Sequence, residues 1–587
     1  MTKVLTDTQK KICNQDGNFV VRACPGSGKT FTVAAKMANL INNWPFKYQG
    51  IATISFTNVA WKEIEKKLKN EFNISTPISH PHFLGTIDSF INNIIFFPYG
   101  HLILNSNARP VLAGKPAYSW KHKTQYHTDP YQYFDKISYD KHGNLIYIGR
   151  INFKLQKLTK KGKPDKNYSN IEKMKEKLKK EGYVNQSDAN YFSMKLLKSY
   201  PFISKLIASR FPYVIIDEAQ DTSDIQMEII DTLFKAGLKN LILVGDPDQA
   251  IFEWNNAKPE LFNHKFNVWK KSITMNENMR SSQNICNFTH HLSSLEKCSV
   301  SVNKEVSNYP FIPKINGYNK DNENFESIIN DFLNFCMGTD IEINPSNVAI
   351  LARSQDIINK IISKKSINDI SVMWHQKNYA EELAYSKYLY DNSMFKESFK
   401  LLEKTYVSLG KNPIYCDIKL SEIINEKGYF DFKNEIFNLI QLMPKTNISI
   451  GEWIDKFKKN CFKANIPNNL KDLDLEINEN FRNFTFDEIF NLKSHENNYN
   501  YNCRLSTIHK VKGETFDAVM LILKQRGTSK SYKNLLNNNE KITEYEELRN
   551  LYVGITRPRK VLFLAVPSKD KLAYKNYFYK KTLESFF

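Results

Sequence analysis

The eight-residue segment ACPGSGKT (Ala23–Thr30) has the residue types needed to bind a phosphate chain. The apolar run FVV lies just before it, and FTVAAKMANLI, which has the pattern of an amphipathic helix, follows it. Between a strand and a helix, glycines let backbone N–H groups turn toward phosphates, a lysine contacts the β- and γ-phosphates, and a Thr hydroxyl coordinates Mg²⁺. The segment therefore predicts nucleotide contacts by Ala23, Cys24, Pro25, Gly26, Ser27, Gly28, Lys29 and Thr30, with Thr30 also a metal ligand.

A pair of acids follows a second apolar run, in YVIIDEAQD (Tyr213–Asp221). Asp217 and Glu218 would stand at the end of a buried strand, where one carboxylate can hold Mg²⁺ and the next can orient an attacking water. Without further context such a pair more often begins a helix. Together with the loop at Lys29, it predicts ATP hydrolysis, with Asp217 as the metal ligand and Glu218 as the catalytic acid–base group.

A third segment, LVGDPDQAIFEWNNA (Leu243–Ala257), places acids and Gln249 after an apolar run, and then two large aromatic residues. Two aromatic residues after a turn are usually part of a core. The neighbouring motifs make a purely structural role less favoured for Phe252 and Trp254.

These motifs, with NENMRSS (276–282), STIHKVKGETFD (506–517) and LYVGITRPRK (551–560), resemble in kind and order those of superfamily 1 DNA helicases of the UvrD/Rep/PcrA type. The resemblance covers both predicted sheets, while two insertions match only in placement. It implies an ATP- and Mg²⁺-dependent motor that steps 3′ to 5′ along single-stranded DNA and unwinds duplexes.

The resemblance also assigns roles to individual residues. Gln9 in LTDTQ would read the adenine, and Gln249 would contact the γ-phosphate and link it to the DNA groove. Arg280 and Arg557 would neutralise charge on the transferred phosphoryl group. The implied DNA contacts are Phe56, Thr57, Asn58, Thr86, Phe252, Trp254, Arg353, Thr507 and His509.

Several positions depart from the family pattern. Met279 stands where an aromatic residue commonly stacks on adenine, and Phe31 replaces a polar or basic residue. We hypothesise that Phe31 and Met279 together hold the adenine. Glu514 lies one place before the usual ribose-binding glutamate, so we assign it the ribose with the sugar selectivity left open. Asp88 replaces a histidine, which predicts a weaker or water-mediated DNA contact there.

The elements that must position these residues are short apolar runs followed by helical patterns, which predict an α/β fold with parallel sheets. The first set of runs is GNFVVRACPGSGKT, GIATISFTN, YVIIDEAQD and NLILVGDPDQ, and the second is NVAILARS, RLSTIHKVKG, AVMLILK and KVLFLAV. We expect two RecA-like P-loop NTPase domains, each interrupted by a mainly helical insertion. The first domain is predicted at 1–90 and 211–290 and the second at 291–372 and 501–587. The insertions are predicted at 91–210, which is basic, and at 373–500.

Length, charge and cysteine content indicate which kinds of protein and of binding partner fit this sequence. A chain of 587 residues should form several domains, and its formal net charge of +20 favours a polyanionic partner, although a Lys- and Asn-rich composition alone gives a similar charge. The eight cysteines contain no CxxC pair, which argues against a zinc or iron–sulfur site. Without a signal peptide or membrane span, we expect a cytoplasmic protein that does not contact a membrane.

Two questions remain open at this point. Residues 154–180 contain eleven lysines and three acids, which either grip duplex phosphates or form a solvated surface. The leading function is a helicase acting on single strands and single/double-strand junctions. The alternative is a DNA-sensing ATPase subunit, Gabija-like in kind, that regulates a partner nuclease in phage defence or DNA repair. A DNA-binding module with an inactive ATP site conflicts with the intact catalytic residues.

Overall fold

A computed structural model describes residues 5–113, 134, 136–147, 166–251, 257–319, 325–362, 380–408, 423–424, 426–463, 477, 479–491, 501–524 and 531–584. Phe252 and Trp254, two of the predicted DNA contacts, lie outside these residues. The same holds for the N-terminal part of the lysine-rich run.

The strands of the described residues, in chain order, are β1 (Phe19–Ala23), β2 (Ile51–Ser55), β3 (Phe83–Thr86), β4 (Val111–Leu112), β5 (Ile137–Tyr139), β6 (Leu145–Tyr147), β7 (Tyr183–Val184), β8 (Tyr213–Ile216), β9 (Asn240–Gly245), β10 (Ile273–Met275), β11 (Glu277–Asn278), β12 (Val300–Ser301), β13 (Lys314–Tyr318), β14 (Val348–Ala352), β15 (Arg504–Thr507), β16 (Phe516–Ile522) and β17 (Pro558–Pro567).

The α-helices, in chain order, are α1 (Asp7–Asn14), α2 (Lys29–Asn42), α3 (Asn58–Phe72), α4 (Ile87–Phe90), α5 (Phe97–Leu104), α6 (Lys166–Lys180), α7 (Gln186–Ser199), α8 (Pro201–Arg210), α9 (Asp224–Lys235), α10 (Pro259–Val268), α11 (Gln283–His290), α12 (Glu326–Met337), α13 (Gln355–Ile362), α14 (Ala380–Asp391), α15 (Phe395–Ser408), α16 (Tyr429–Leu442), α17 (Ile450–Lys463), α18 (Tyr532–Asn537), α19 (Glu546–Ile555) and α20 (Lys571–Glu584). A π-helical stretch (Ile91–Phe96) joins α4 to α5, and a single 3₁₀ turn (Pro247–Gln249) follows β9.

The first lobe is built on a parallel sheet with the strand order β10-β1-β9-β8-β2-β3. Its central strands are almost wholly buried, as expected of a parallel sheet that is covered on both faces. Side chains alternate between two cores. Val20 and Leu243 pack with α5, α7 and α9 on one face, whereas Val21 and Val244 pack with α1 and α2 on the other.

The second lobe is built on a parallel sheet with the order β13-β17-β16-β14-β15. One face packs against α12 and α13, and the opposite face packs against α11, α19 and α20. The Phe288 ring of α11 stacks on Phe578 of α20, with centroids 4.3 Å apart. Because α11 packs in this core, we propose that the chain crosses between the lobes at residues 276–282, ahead of the predicted boundary at 290.

These two sheets confirm the predicted fold class, with apolar runs forming β1, β2, β8, β9, β14, β15, β16 and β17. Three strands of the two sheets were missed by sequence analysis: β3, β10 and β13. Their sequences, FLGT, ITM and KINGY, are short or contain glycine, so the apolar signal is weak.

Between β3 and α8 the chain forms helices and two small ladders, in which β4 pairs with β7 and β5 pairs with β6. The described insertion after α13 is helical, and α14 to α17 share one apolar core that includes Trp453. The domain boundaries assigned from the sequence stay predictions. Among the described residues, no helix has the length and apolar character needed to cross a lipid bilayer.

One lysine of the basic run is part of a core. Lys175 Nζ lies 2.5 Å from Asp188 Oδ2, and each side chain is only 2% exposed. Ser138 Oγ donates to Asp188 Oδ1 at 2.9 Å, and the Lys175 ammonium lies 5.1 Å from the centroid of the Phe134 ring. Lys173, Lys177 and Lys180 of the same helix are not buried in this way. Helix α6 therefore has a structural lysine on its inner side and solvated cations on its outer side.

We predict that Lys175→Met destabilises α6 and α7 by about 3–5 kcal/mol, because it leaves the Asp188 carboxylate buried without its counter-ion. Native-state hydrogen exchange of the α7 amides measures this free energy of local opening. The exposed Lys177→Met provides the control, with a change of about 0.5 kcal/mol or less. Equal effects of the two substitutions would contradict the assignment.

Candidate active site and nucleic-acid interface

The loop after β1 has the conformation needed to surround an anion. Gly26 and Gly28 have φ values of +74° and +78°, which L-residues rarely adopt, and α2 begins at Lys29 directly after them. A Cβ added to Gly26 would lie 2.6 Å from Asn278 Oδ1 and 2.7 Å from Arg280 Cβ. The loop thus presents the N–H groups of a helix start to the cleft. The preceding Ala23, Cys24 and Pro25 are buried behind it.

A hydroxyl and a carboxylate stand together at the base of this loop. Thr30 Oγ1 donates to Asp217 Oδ2 at 3.2 Å. Burial, reinforced by the neighbouring Glu218, raises the pKa of Asp217 to about 7. A buried carboxylate in this state favours a cation, and both groups offer the oxygen ligands that Mg²⁺ prefers. Thr30 and Asp217 fit a Mg²⁺ ion bound together with nucleotide phosphates.

Glu218 is held differently from its neighbour. Its backbone is left-handed, with φ of +55°, and its Oε2 accepts a hydrogen bond from Gln220 Nε2 at 2.6 Å. Burial opposes ionisation, but Lys29, Lys512 and Arg557 outweigh it and bring the pKa of Glu218 below its usual value. Glu218 is therefore ionised at neutral pH and can accept a proton from water.

The two lobes enclose a cavity of about 240 Å³ beside this loop. Its lining from the first lobe and the crossing segment includes Lys29, Thr30, Phe31, Glu218, Gln249 and Arg280. Its lining from the second lobe includes His509, Lys510, Lys512, Gly513 and Arg557. The predicted catalytic residues Lys29, Glu218, Gln249, Arg280 and Arg557 thus meet in one space.

The guanidinium groups in the cavity connect the lobes. Arg557 Nη2 donates to Gln249 Oε1 at 2.8 Å, and Gln249 Nε2 donates to Asp246 Oδ2 at 2.6 Å. Arg280 Nη1 donates to the Thr556 carbonyl at 3.0 Å. Burial and mutual repulsion lower the pKa of Arg557 to about 9, and burial lowers that of Arg280 to about 10. Both remain positively charged at neutral pH, so the cavity favours a polyanion.

The segment from Asp246 to Ile251, termed the interlobe segment, makes several contacts with the second lobe. Arg549 Nε of the second lobe donates to the Ala250 carbonyl at 2.7 Å, and Ile251 is buried in the core of the second lobe. A further ion pair spans the cleft, with Lys512 Nζ 2.5 Å from Asp221 Oδ2. No sequence pattern pointed to Asp221, Lys512 or Arg549, although all three lie inside or beside the segments 213–221, 506–517 and 551–560.

Of the four residues predicted to contact the adenine or the ribose, only one lines the described part of the cavity. Phe31 lines the cavity, and its ring lies 5.5 Å from that of Phe72, centroid to centroid. Gln9, Met279 and Glu514 are absent from the described cavity lining. Gln9 Nε2 donates to the Ser27 carbonyl at 3.2 Å, and the Met279 N–H donates to the Gly26 carbonyl at 2.8 Å. Glu514 is exposed.

Helix α3 contributes residues to the cavity that the sequence did not suggest. Val59, Ala60, Glu63 and Lys67 lie along one side of it, next to Phe31. Thr57, predicted to contact DNA, lines the same cavity and caps α3 by accepting a hydrogen bond from the Ala60 N–H at 3.2 Å.

The remaining predicted DNA contacts stand near the carboxyl ends of strands at one side of each sheet. Phe56 and Asn58 follow β2, and Thr86 ends β3, where its hydroxyl accepts from the Ser89 N–H at 3.1 Å. In the second lobe the candidates are Arg353 after β14, and Thr507 and His509 at the end of β15.

Local contacts restrict some of these candidates. Arg353 Nη1 lies 3.3 Å from Glu547 Oε1, so its charge is already paired. Burial and the nearby Arg353 lower the pKa of His509, which is therefore neutral at neutral pH. Asp88 accepts hydrogen bonds from Asn190 and Gln226, at 3.1 and 2.9 Å, and burial raises its pKa.

Two helicase domain families and several curated helicases are similar to this chain. The UvrD/REP helicase N-terminal domain matches residues 5–268, and the UvrD-like helicase C-terminal domain matches residues 462–569. The chain is 27% identical to the ATP-dependent DNA helicase Rep of Buchnera aphidicola subsp. Schizaphis graminum, over 93% of this chain and 91% of that protein.

Two other relatives match shorter parts. Gabija protein GajB of Bacillus cereus is 27% identical over 51% of each chain. An ATP-dependent helicase/nuclease protein of Streptococcus pneumoniae is 29% identical over 20% of this chain and 10% of that protein. Two helicase domains matched in order, and a Rep relative aligned along nearly the full length, place this chain in the UvrD/Rep helicase family.

Proposed function

We propose that the protein is an ATP-dependent DNA helicase that moves 3′ to 5′ on single-stranded DNA. The direction and the DNA substrate are proposed from membership of the UvrD/Rep family. The observation that carries the ATP-driven movement is the hydrogen bond of 2.8 Å between Arg557 of one lobe and Gln249 of the other, inside the cavity that contains the phosphate loop. A phosphate entering there competes for both side chains, so the state of the nucleotide sets the contact between the lobes.

Each catalytic residue has a role consistent with its position. Lys29 and the N–H groups of the loop bind the phosphates, and Thr30 and Asp217 would hold a Mg²⁺ ion, which would neutralise phosphate charge. Glu218, which is ionised and half-buried, orients and deprotonates the attacking water. Arg280 and Arg557 stabilise the charge that develops during phosphoryl transfer, and closure of the lobes brings Arg557 into place.

The DNA strand is proposed to run over the carboxyl ends of β2 and β3 in the first lobe and of β14 and β15 in the second. Support comes from the sheet order, because β2 lies next to β8, whose end carries Asp217 and Glu218. Thr57 at the end of β2 also lines the nucleotide cavity. A change at the phosphates therefore reaches the proposed DNA contacts of the first lobe through one adjacent strand.

A second candidate function is an ATPase that regulates a partner nuclease as part of a complex. Its support is the similarity to Gabija protein GajB over half of this chain and, over a shorter stretch, to a helicase/nuclease protein. In this case ATP hydrolysis would report the presence of DNA to the partner, with the same catalytic residues.

Strand displacement on duplexes with a 3′ or a 5′ tail separates the two functions. We expect ATP-dependent unwinding of the 3′-tailed substrate and a loss of about 100-fold or more in Glu218→Gln, because the water loses its base. Glu260→Gln, an exposed glutamate of the first lobe, should unwind normally. DNA-stimulated hydrolysis without unwinding would support the regulatory function, and hydrolysis absent with every DNA would contradict both.

A second prediction concerns the adenine. Because Phe31 lines the cavity whereas Met279 does not, Phe31→Ala should raise KM for ATP about tenfold, equivalent to ~1.4 kcal/mol of lost stacking. Met279→Ala, as the matched apolar truncation, should leave KM within a factor of about two. An unchanged KM in Phe31→Ala, or an equal rise in both variants, contradicts this arrangement of the base.

A further inference from the structure

Asp248 lies one residue before Gln249 and has a separate set of partners. Its carboxylate is 1% exposed and is not part of the described cavity lining. Oδ2 accepts hydrogen bonds from the Ser294 N–H at 2.7 Å and from Ser293 Oγ at 3.0 Å, and Oδ1 accepts from Ser294 Oγ. All three donors belong to the turn that follows α11.

That turn belongs to the second lobe. Leu292, directly before it, is buried in the core formed by α11 and the second sheet, and Tyr552 OH of α19 donates to Ser293 Oγ at 3.4 Å. Asp248 lies in the interlobe segment, in the 3₁₀ turn that follows β9 of the first lobe. Its three hydrogen bonds therefore join the two lobes, just as the bond between Gln249 and Arg557 does.

The first lobe supports this contact from a second strand. Arg22 of β1 donates from Nη2 to Ser294 Oγ at 2.5 Å, and the same nitrogen lies 4.0 Å from Asp248 Oδ1. The Arg22 guanidinium lies over the Phe266 ring of α10, 5.9 Å from its centroid. The serine turn is thus held by β1, which leads into the phosphate loop, and by β9, which leads into Gln249.

We propose that Asp248 is a positioning residue whose contact with Ser293 and Ser294 is the fixed point about which the lobes close. Separating a buried carboxylate from its three hydrogen-bond donors costs free energy, because the charge is left without partners. A nucleotide in the cavity does not reach the Asp248 carboxylate, so it does not compete for these donors. The neighbouring Gln249 contact, by contrast, lies where phosphates compete. Rotation about Asp248 converts nucleotide binding into movement of Arg557 relative to Gln249. The inference rests on the proposed function and adds the location of the fixed point about which the lobes close.

Hydrogen exchange of the full chain tests the fixed point directly. In the wild type, the amides of residues 292–296 should be protected equally with and without Mg²⁺ and a non-hydrolysable ATP analogue. The analogue should slow exchange at 509–513, the segment that lines the cavity from the second lobe. Asp248→Asn, which replaces one acceptor oxygen by an NH₂ group, should speed exchange at 292–296 about tenfold or more. Ser294→Ala should have a smaller effect in the same direction.

Kinetics provide a readout that a general loss of folding would not mimic. Asp248→Asn should lower the DNA-stimulated kcat about tenfold with KM for ATP unchanged. The groups that bind ATP stay in place, whereas the lobes no longer close in the orientation that catalysis needs. Ser294→Ala should lower kcat in the same way, and the double variant should lose no more than the stronger single one. Ser193→Ala is the control, because this buried serine of the insertion has no hydrogen-bond partner for its hydroxyl within the described part of the chain.

Three results would overturn the proposal: nucleotide-dependent exchange at 292–296 as large as that at 509–513, unchanged exchange in Asp248→Asn, or a raised KM at constant kcat. Should Asp248→Asn fail to fold, Ser294→Ala decides on the same criteria. An analogue that alters exchange nowhere would refute the proposed function. The comparison of nucleotide-free wild type with Asp248→Asn would still decide whether Asp248 holds the turn.

Discussion

The hydrogen bond between Arg557 and Gln249 is the contact on which the proposed coupling of ATP hydrolysis to lobe movement depends. Each side chain comes from a different lobe, and the two meet at 2.8 Å in the cavity that contains Lys29 and Glu218. The acceptor in this bond is a neutral amide, so a phosphate is the stronger ligand for the guanidinium. The contact therefore joins the two lobes, and we propose that it also responds to the phosphates that the cavity binds.

The rest of the fold places these two residues. Parallel strands bring the phosphate loop, the Asp217–Glu218 pair and the interlobe segment to one edge of the first sheet, because their carboxyl ends share that edge. Ile251 enters the core of the second lobe, and Arg549 binds the preceding carbonyl. The interlobe segment cannot shift without displacing side chains of the second lobe, and we propose that this constraint couples hydrolysis to movement.

Sequence patterns were informative where chemistry follows a buried strand. The runs at β1, β8 and β9 and the motifs after them predicted both the sheet and the catalytic residues that the cavity gathers. Contacts between distant segments left no such signal: Lys512 meets Asp221 across 291 positions, and Glu63 enters the cavity from a helix with an ordinary polar pattern. Lys175 could not be predicted for the same reason, because a lysine-rich run does not reveal which of its lysines pairs with a buried aspartate.

The central claim is tested most directly by a double-mutant cycle between Gln249 and Arg557 on the DNA-stimulated kcat. If the two side chains act as one unit, Gln249→Ala and Arg557→Ala will each lower kcat by about 100-fold or more, and the double variant will lose little beyond the larger single effect. Independent action predicts that the logarithms of the two losses add. An additive cycle would contradict the account, because the bond would then carry no coupling between the lobes.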